Sequence, residues 1–156
     1  MASDPPPISS LSLTSSAFGD GAPIPSEFSC RGADVSPPLA WTGVPAGADA
    51  LVLFVDDPDG RDWVHWSVLD LPGRDGSLPR GVPSTEGPPQ QGRNDFGRVG
   101  YGGPCPPSGT HHYRFTLYAL AAPLGLSGHP DGAAVRAALA KATVLARTTL
   151  TGTFRA

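Results

Sequence analysis

At 156 residues the chain suits one domain that buries roughly 70% of its unfolded surface and is too short to suggest two. Its 20 Gly and 19 Pro form a quarter of the sequence, at the lower edge of compositions that signal disorder, but 39% hydrophobic residues and several strand patterns predict a folded, loop-rich β protein. A formal charge of −3 with Arg and Asp intermixed leaves no basic stripe and argues against nucleic acid or a charged membrane surface as partner.

The N-terminal stretch, residues 1–13, has neither the basic start nor the continuous apolar run of a signal peptide, and Pro5-Pro6-Pro7 suggests a loose leader. Residues 1–9 are therefore expected to precede a single domain over 10–156, in the cytoplasm. The longest apolar run, residues 50–55, is far below the ~20 residues that cross a bilayer. Cys30 and Cys105 are too few for a disulfide scaffold and lack zinc spacing. Both lie in motif-bearing loops, and a cytoplasmic setting predicts free thiols.

In chain order, residues 8–14 alternate imperfectly and predict an edge strand, followed by a Gly/Pro-rich connection over 19–25. Ser36-Pro37-Pro38 should be extended, because proline disfavours helix in the residue before it, and Leu39 and Trp41 then share a face. Residues 42–49 are expected to turn with hairpin-like spacing into the next strand. That strand, 51–55, is apolar at every position, as in a strand buried on both faces. Asp57-Pro58-Asp59-Gly60 stops it, since proline fixes φ and removes a donor. The turn is short enough for Asp57, Asp59 and His65 to face one another. Residues 63–69 predict a second strand, with Trp63, His65 and Ser67 on one face and Val64, Trp66 and Val68 on the other.

The long stretch 73–107 is rich in Gly and Pro, and an irregular segment of this length in a small domain is more often functional than idle. Gly100, Gly102 and Gly103 there would let backbone amides approach a ligand. Residues 111–120 have a strong strand pattern, with His111, Tyr113, Phe115 and Leu117 on one face and His112, Arg114, Thr116 and Tyr118 on the other. Asp131 is a candidate N-cap for a helix to about residue 147, from apolar residues at i, i+3, i+4 spacing. Residues 148–154 are expected to return as a last strand.

Three motifs in this order, S-P-P-L-A-W at 36–41, D-P-D with W-V-H-W over 57–66, and G-G-P-C-P-P-S-G-T-H-H-Y at 102–113, together resemble the phosphatidylethanolamine-binding protein family, in its bacterial Raf-kinase-inhibitor-like branch. The resemblance spans about residues 10–155. It implies a mainly β, Greek-key sandwich with one principal C-terminal helix, and a small anion-accepting pocket at one end of the large sheet. Carried over residue by residue, it places Asp57, Asp59, Trp63, His65, Gly103, Cys105, Pro106, His111 and Tyr113 at that pocket, with Pro107 beside Pro106. His112 stands where the family usually has arginine, and the Ala-Pro that follows D-P-D in the family is missing, which shortens one pocket wall.

A carboxylate near an imidazole favours the imidazolium, and an imidazolium with free backbone amides holds a phosphate. The expectation is thus a binding module for a small anionic or phosphorylated ligand, with no cofactor or metal. A protein partner such as a kinase or protease is implied by the resemblance only, and a homodimer is compatible with the sequence. The first alternative is a small hydrolase or acid/base enzyme using Cys105, or His65 with Asp57, although Ser36, Ser108 and Cys105 lie in no nucleophile elbow. The second is a protease-inhibitor-like protein acting through residues 81–98.

Overall fold

The structure, a computed structural model, describes residues 10–156; the expected leader over 1–9 and the first two residues of the expected edge strand lie outside the described residues. In chain order the elements are β1 (Ser12–Thr14), β2 (Leu39–Thr42), β3 (Ala50–Asp57), β4 (Trp63–Pro72), β5 (Gly76–Leu78), β6 (Gln90–Gln91), β7 (Thr110–Leu120), α1 (Gly132–Lys141) and β8 (Val144–Arg155). They build a small sheet, β1-β2-β5, and a large one, β6-β4-β3-β7-β8. In the large sheet β3, β4 and β6 are neighbours, and β7 returns by a long connection to lie on the far side of β3. That is the Greek-key order.

β3 is buried at all eight positions because both of its faces are covered. Leu51, Leu53 and Val55 join Phe115 and Leu117 of β7 against Leu13, Leu39, Trp41 and Leu78 of the small sheet. Val52 and Phe54, on the other face, pack with Val64, Leu69 and Val135 of α1. Gly132 opens the helix so close to β4 that a Cβ there would stand 2.5 Å from Val64 Cγ2.

Three expectations are corrected. Residues 42–49 do not close a hairpin: β2 and β3 belong to different sheets, and the link carries the chain between layers. The helix, capped as expected by Asp131 Oδ1 on the Ala134 amide at 2.9 Å, ends at Lys141 rather than near residue 147. Ala146 and Arg147 pair instead with Ala119 and Tyr118 of β7, so sheet pairing overrides a helical period that the β-branched Thr143 and Val144 already weakened. The alternation assumed for β4 is broken by a bulge: Val55 faces Trp66 and Asp56 faces Val64, leaving His65 as the extra residue. Val64 therefore packs toward α1 while Trp66 and Val68 enter the core between the sheets.

Candidate functional site

The inner faces of β3, β4 and β7 end at one rim of the large sheet, where Asp57, His65, His111 and Tyr113 border a cavity of about 600 Å³. Asp57 continues the Leu51, Leu53, Val55 face of β3. His111 and Tyr113 continue the Phe115, Leu117 face of β7, and the β4 bulge brings the His65 ring edge-on to Tyr113, with centroids 5.1 Å apart.

Asp57 is 4% exposed, and both carboxylate oxygens are engaged. Oδ1 accepts from the amides of Asp59 (2.9 Å) and Gly60 (3.0 Å), capping the tight turn Pro58–Gly60. Oδ2 lies 2.6 Å from His111 Nδ1. A carboxylate only accepts, so the proton is on Nδ1 and Nε2 is the free ring nitrogen of His111. Gly60 is required here, since a Cβ would sit 2.6 Å from Asp57 Oδ2. Arg61 and Asp62 follow with φ of 57° and 59°, a left-handed pair that side chains rarely adopt. Arg136 of α1 holds them by donating to the Asp62 carbonyl at 2.7 Å and to Asp56 Oδ2 at 3.1 Å.

His65 is 3% exposed, and its Nδ1 donates to the Gly102 carbonyl at 2.6 Å. Burial lowers its pKa below 6.5, against the opposing pull of the Gly102 carbonyl and the Asp57 and Asp95 carboxylates. Burial thus favours a neutral His65 ring over the imidazolium that a neighbouring carboxylate was expected to support, although Asp57 still pulls the other way. Burial, followed by the charges of Asp57 and Asp59, pushes the Tyr113 hydroxyl well above its usual range, so it stays protonated. At the rim, Asp59 Oδ2 accepts from the amide (2.7 Å) and Nδ1 (2.8 Å) of His112. That contact holds the Asp59 carboxyl below its ordinary pKa. His112, on the opposite face of β7, thus reaches the rim.

Of the expected site residues, Asp57, Asp59, Trp63, His65, Cys105, Pro106, His111 and Tyr113 line the cavity, with Pro107. Gly103 does not. It is buried behind the loop, and a Cβ there would meet the Phe28 carbonyl oxygen at 2.2 Å. The amide cradle expected from the glycines is also corrected: Gly100 donates to the Gly92 carbonyl at 3.0 Å, Gly102 to the His65 carbonyl at 2.9 Å and Gly103 to Asp34 Oδ1 at 2.7 Å. These glycines build the loop rather than face a ligand.

Gly60, Arg61, Phe96 and Ser108 also line the cavity and were not singled out as its lining. Phe96, 40% exposed, meets Trp63 edge-on at 5.5 Å and His65 at 5.4 Å, forming an aromatic wall. A lone aromatic in the polar stretch N-D-F-G was the available signal for it.

Cys30 and Cys105 are not free thiols. They form a disulfide with Cα atoms 5.5 Å apart, well within bonding reach. The Cys30 amide donates to the Pro104 carbonyl at 3.1 Å and the Tyr101 hydroxyl to the Phe28 carbonyl at 2.6 Å, so the loop that carries Cys105 is fastened to residues 28–34. This also removes Cys105 as a thiolate nucleophile.

A larger recess, about 730 Å³, lies beside Leu71, Leu78 and Pro88, away from these groups. Its Asp70 carboxylate accepts from the Leu124 and Gly125 amides and its His129 Nδ1 bonds the Gln91 carbonyl. The smaller cavity, with its converging ionisable groups, is the better candidate.

The sequence model of phosphatidylethanolamine-binding protein matches residues 14–155. The chain belongs to the phosphatidylethanolamine-binding protein family. It is 48% identical over 159 residues to LppC, a putative lipoprotein of Mycobacterium tuberculosis, covering 96% of this chain and 74% of that protein. It is 46% identical over 115 residues to a UPF0098 protein of Methanothermobacter thermautotrophicus, covering 70% and 76%. Among solved structures, a putative homologue from Chlamydia trachomatis, CT736, superposes with a TM-score of 0.85 at 36% identity, over 96% of this chain and 99% of that one. E. coli YbcL gives 0.85 at 32% identity, over 94% and 98%. Membership in the family agrees with the mainly β, two-sheet fold.

Proposed function

We propose that the chain binds a small phosphorylated ligand in the cavity between Asp57 and Pro106, without turning it over. The carrying observation is the buried Asp57–His111 pair, 2.6 Å apart, at a cavity whose other wall is the exposed aromatic pair Trp63 and Phe96. The polar end meets the ligand's phosphoryl group, with Arg61 at the rim, and the aromatic wall takes its apolar part. The family's description as phosphatidylethanolamine-binding supports a phosphate-bearing ligand. A regulatory role, in which the occupied pocket is presented to a protein partner, extends the same reading. Trp41 and Trp66 are buried and Trp63 is 40% exposed, so ligand entry changes the fluorescence of one tryptophan. Titration with phosphoethanolamine should give a saturable change that Trp63→Phe abolishes and His111→Ala weakens. No saturable signal, and no movement of His65, His111 or Tyr113 resonances, refutes the reading.

The disulfide bears on the compartment. Protein disulfides persist in oxidising surroundings and are rare in the cytosol, so we propose an oxidising compartment in place of the cytoplasmic expectation. The description of LppC as a putative lipoprotein points the same way. Alkylation of thiols in intact cells before lysis tests this: both cysteines should be protected, and two labelled thiols would return the protein to a reducing compartment.

A further inference from the structure

The next inference rests on that binding reading and concerns which oxyanion the cavity accepts. The Gly102 carbonyl can only accept a hydrogen bond, so at 2.6 Å it fixes the proton of neutral His65 on Nδ1. His65 Nε2 is left with a lone pair. Among the described residues the groups packed around this ring supply no proton to it, and the Gly103 carbonyl, a second backbone group against the ring, only accepts. β3 brings the Asp57 carboxylate, which is already bonded to His111. The turn after residue 94 brings the Asp95 carboxylate, which accepts from the Val64 amide at 2.7 Å. β7 brings Tyr113, edge-on at 5.1 Å, and the 94–97 turn brings Phe96, edge-on at 5.4 Å. In the 100–107 loop the amides of Gly100, Gly102 and Gly103 are committed elsewhere, and the Cys105 amide is directed at the Tyr113 hydroxyl oxygen rather than at His65.

We infer that the cavity selects an oxyanion that carries its own proton, a singly charged phosphomonoester whose P–OH donates to His65 Nε2. A fully ionised phosphomonoester or sulfate sets lone pairs against the His65 lone pair, in a cavity that already holds the carboxylates of Asp57 and Asp59. A phosphodiester has the same single charge as the hydrogen phosphomonoester but no proton to give. The Tyr113 hydroxyl and the Arg61 guanidinium, both lining the cavity, serve the remaining oxygens. The ligand class is therefore a phosphomonoester in preference to the phosphodiester linkage of an intact phospholipid.

The test titrates the full chain with methyl phosphate, dimethyl phosphate and sulfate from about pH 5.5 to 8.5, a span that covers the second ionisation of a phosphomonoester at ~6. Trp63 fluorescence and the imidazole nitrogen resonances are the readouts. Methyl phosphate should bind, losing about tenfold in affinity per pH unit above that ionisation, with the His65 Nε2 resonance moving as a neutral acceptor. Dimethyl phosphate and sulfate should bind at least about tenfold more weakly at the acid end, where RT ln 10 is ~1.4 kcal/mol. Sulfate as tight as methyl phosphate, or falling with pH in parallel with it, shows that histidine charge alone holds the anion; the binding reading then stands and this inference is overturned. Dimethyl phosphate as tight as methyl phosphate overturns it too, as does methylammonium displacing methyl phosphate, which makes the donor an ammonium. Failure of all three anions to bind removes both readings. In His65→Gln the side-chain amide can turn to donate or accept, so discrimination between methyl phosphate and sulfate should shrink; a folded variant that keeps it in full counts against the inference, and if the variant does not fold the wild-type series decides.

Discussion

Asp57 Oδ2 stands 2.6 Å from His111 Nδ1 while Oδ1 of the same carboxylate caps the turn at Asp59 and Gly60. One buried side chain therefore joins the end of β3, the turn into β4 and the end of β7, which are the three elements that frame the cavity. Asp56, one residue earlier and on the opposite face, makes the matching connection outside: Arg114 reaches it with two bonds, at 3.0 and 2.9 Å, and Arg136 with one at 3.1 Å. Consecutive aspartates on a strand point to opposite faces, so the D-D step fastens the rim from both sides.

Removing the Asp57 side chain takes away a cap worth about 1 kcal/mol and a charge-assisted bond of about 1.5–3 kcal/mol. Asp57→Ala should therefore lose on the order of 2–4 kcal/mol, allowing for non-additivity. Asp57→Asn retains an acceptor for the turn amides and should lose less. Urea unfolding at neutral pH measures both, and an alanine variant as stable as wild type would show that the turn is held by something else.

The pH dependence of stability follows from His65. Its folded pKa lies below the 6.5 of the unfolded chain, so on acidification the unfolded state takes up a proton that the folded state resists, and unfolding becomes easier. Above 6.5 both states are neutral and the group contributes no slope. Stability attributable to His65 should be fully present above that pH and decline as pH falls through its lowered folded pKa, by at most about 1.4 kcal/mol per unit. Asp59, whose folded pKa is lowered from 3.8 by His112, acts only in the more acidic window below that value. Unfolding free energies of wild type and His65→Gln should differ in slope just below pH 6.5, above the window of Asp59; parallel curves there would mean that the ring titrates normally.

Much of this architecture was legible in the sequence because it rests on local patterns. The all-apolar run ending at Asp57 became the central strand, and the alternation from residue 111 placed His111 and Tyr113 on the inner face of β7 as observed. What the sequence concealed depends on contacts between distant segments. The bulge at His65 is a register property of two strands and leaves no mark in the alternation of one. The glycines of 100–103 do read as positions for close approach, but what approaches is Phe28, Asp34 and Ser84 of this chain rather than a ligand. Cys30 and Cys105 are 75 residues apart, and only the docking of residues 100–107 on 26–34 brings them together. The helix was overextended because residues 142–147 satisfy a helical period and a strand equally, and the partner strand β7 decides between them.

Alanine substitutions separate the glycines of that loop by what they would strike. At Gly103 a Cβ would sit 2.2 Å from the Phe28 carbonyl oxygen, part of the backbone, whereas at Gly102 it would sit 2.6 Å from the Phe96 ring, a partly exposed side chain that can swing aside. Gly103→Ala should destabilise by about 1–3 kcal/mol or more. Gly102→Ala should cost less but displace Phe96 from Trp63, changing Trp63 fluorescence. Equal thermal midpoints for the two variants would contradict this ordering.

The disulfide should matter first for stability and second for the cavity. With a separation of 75 residues between Cys30 and Cys105, the chain-entropy relation gives about 4.5 kcal/mol at 25 °C for closing the loop. Bonds without the sulfurs also fasten the segment: Cys30 amide to Pro104 carbonyl, Gly103 amide to Asp34, and Tyr101 hydroxyl to Phe28 carbonyl. The Cys30→Ser, Cys105→Ser variant should therefore fold, with a thermal midpoint well below that of the oxidised protein and unresponsive to dithiothreitol, while wild type drops toward it when reduced. Because Cys105 and Pro106 line the cavity and Gly102 orients His65, loosening this loop should weaken methyl phosphate binding by less than loss of His111. Measuring both quantities on one set of samples separates the roles. An unchanged midpoint on full reduction, confirmed by two titratable thiols, would show that the three hydrogen bonds hold the loop without the covalent link.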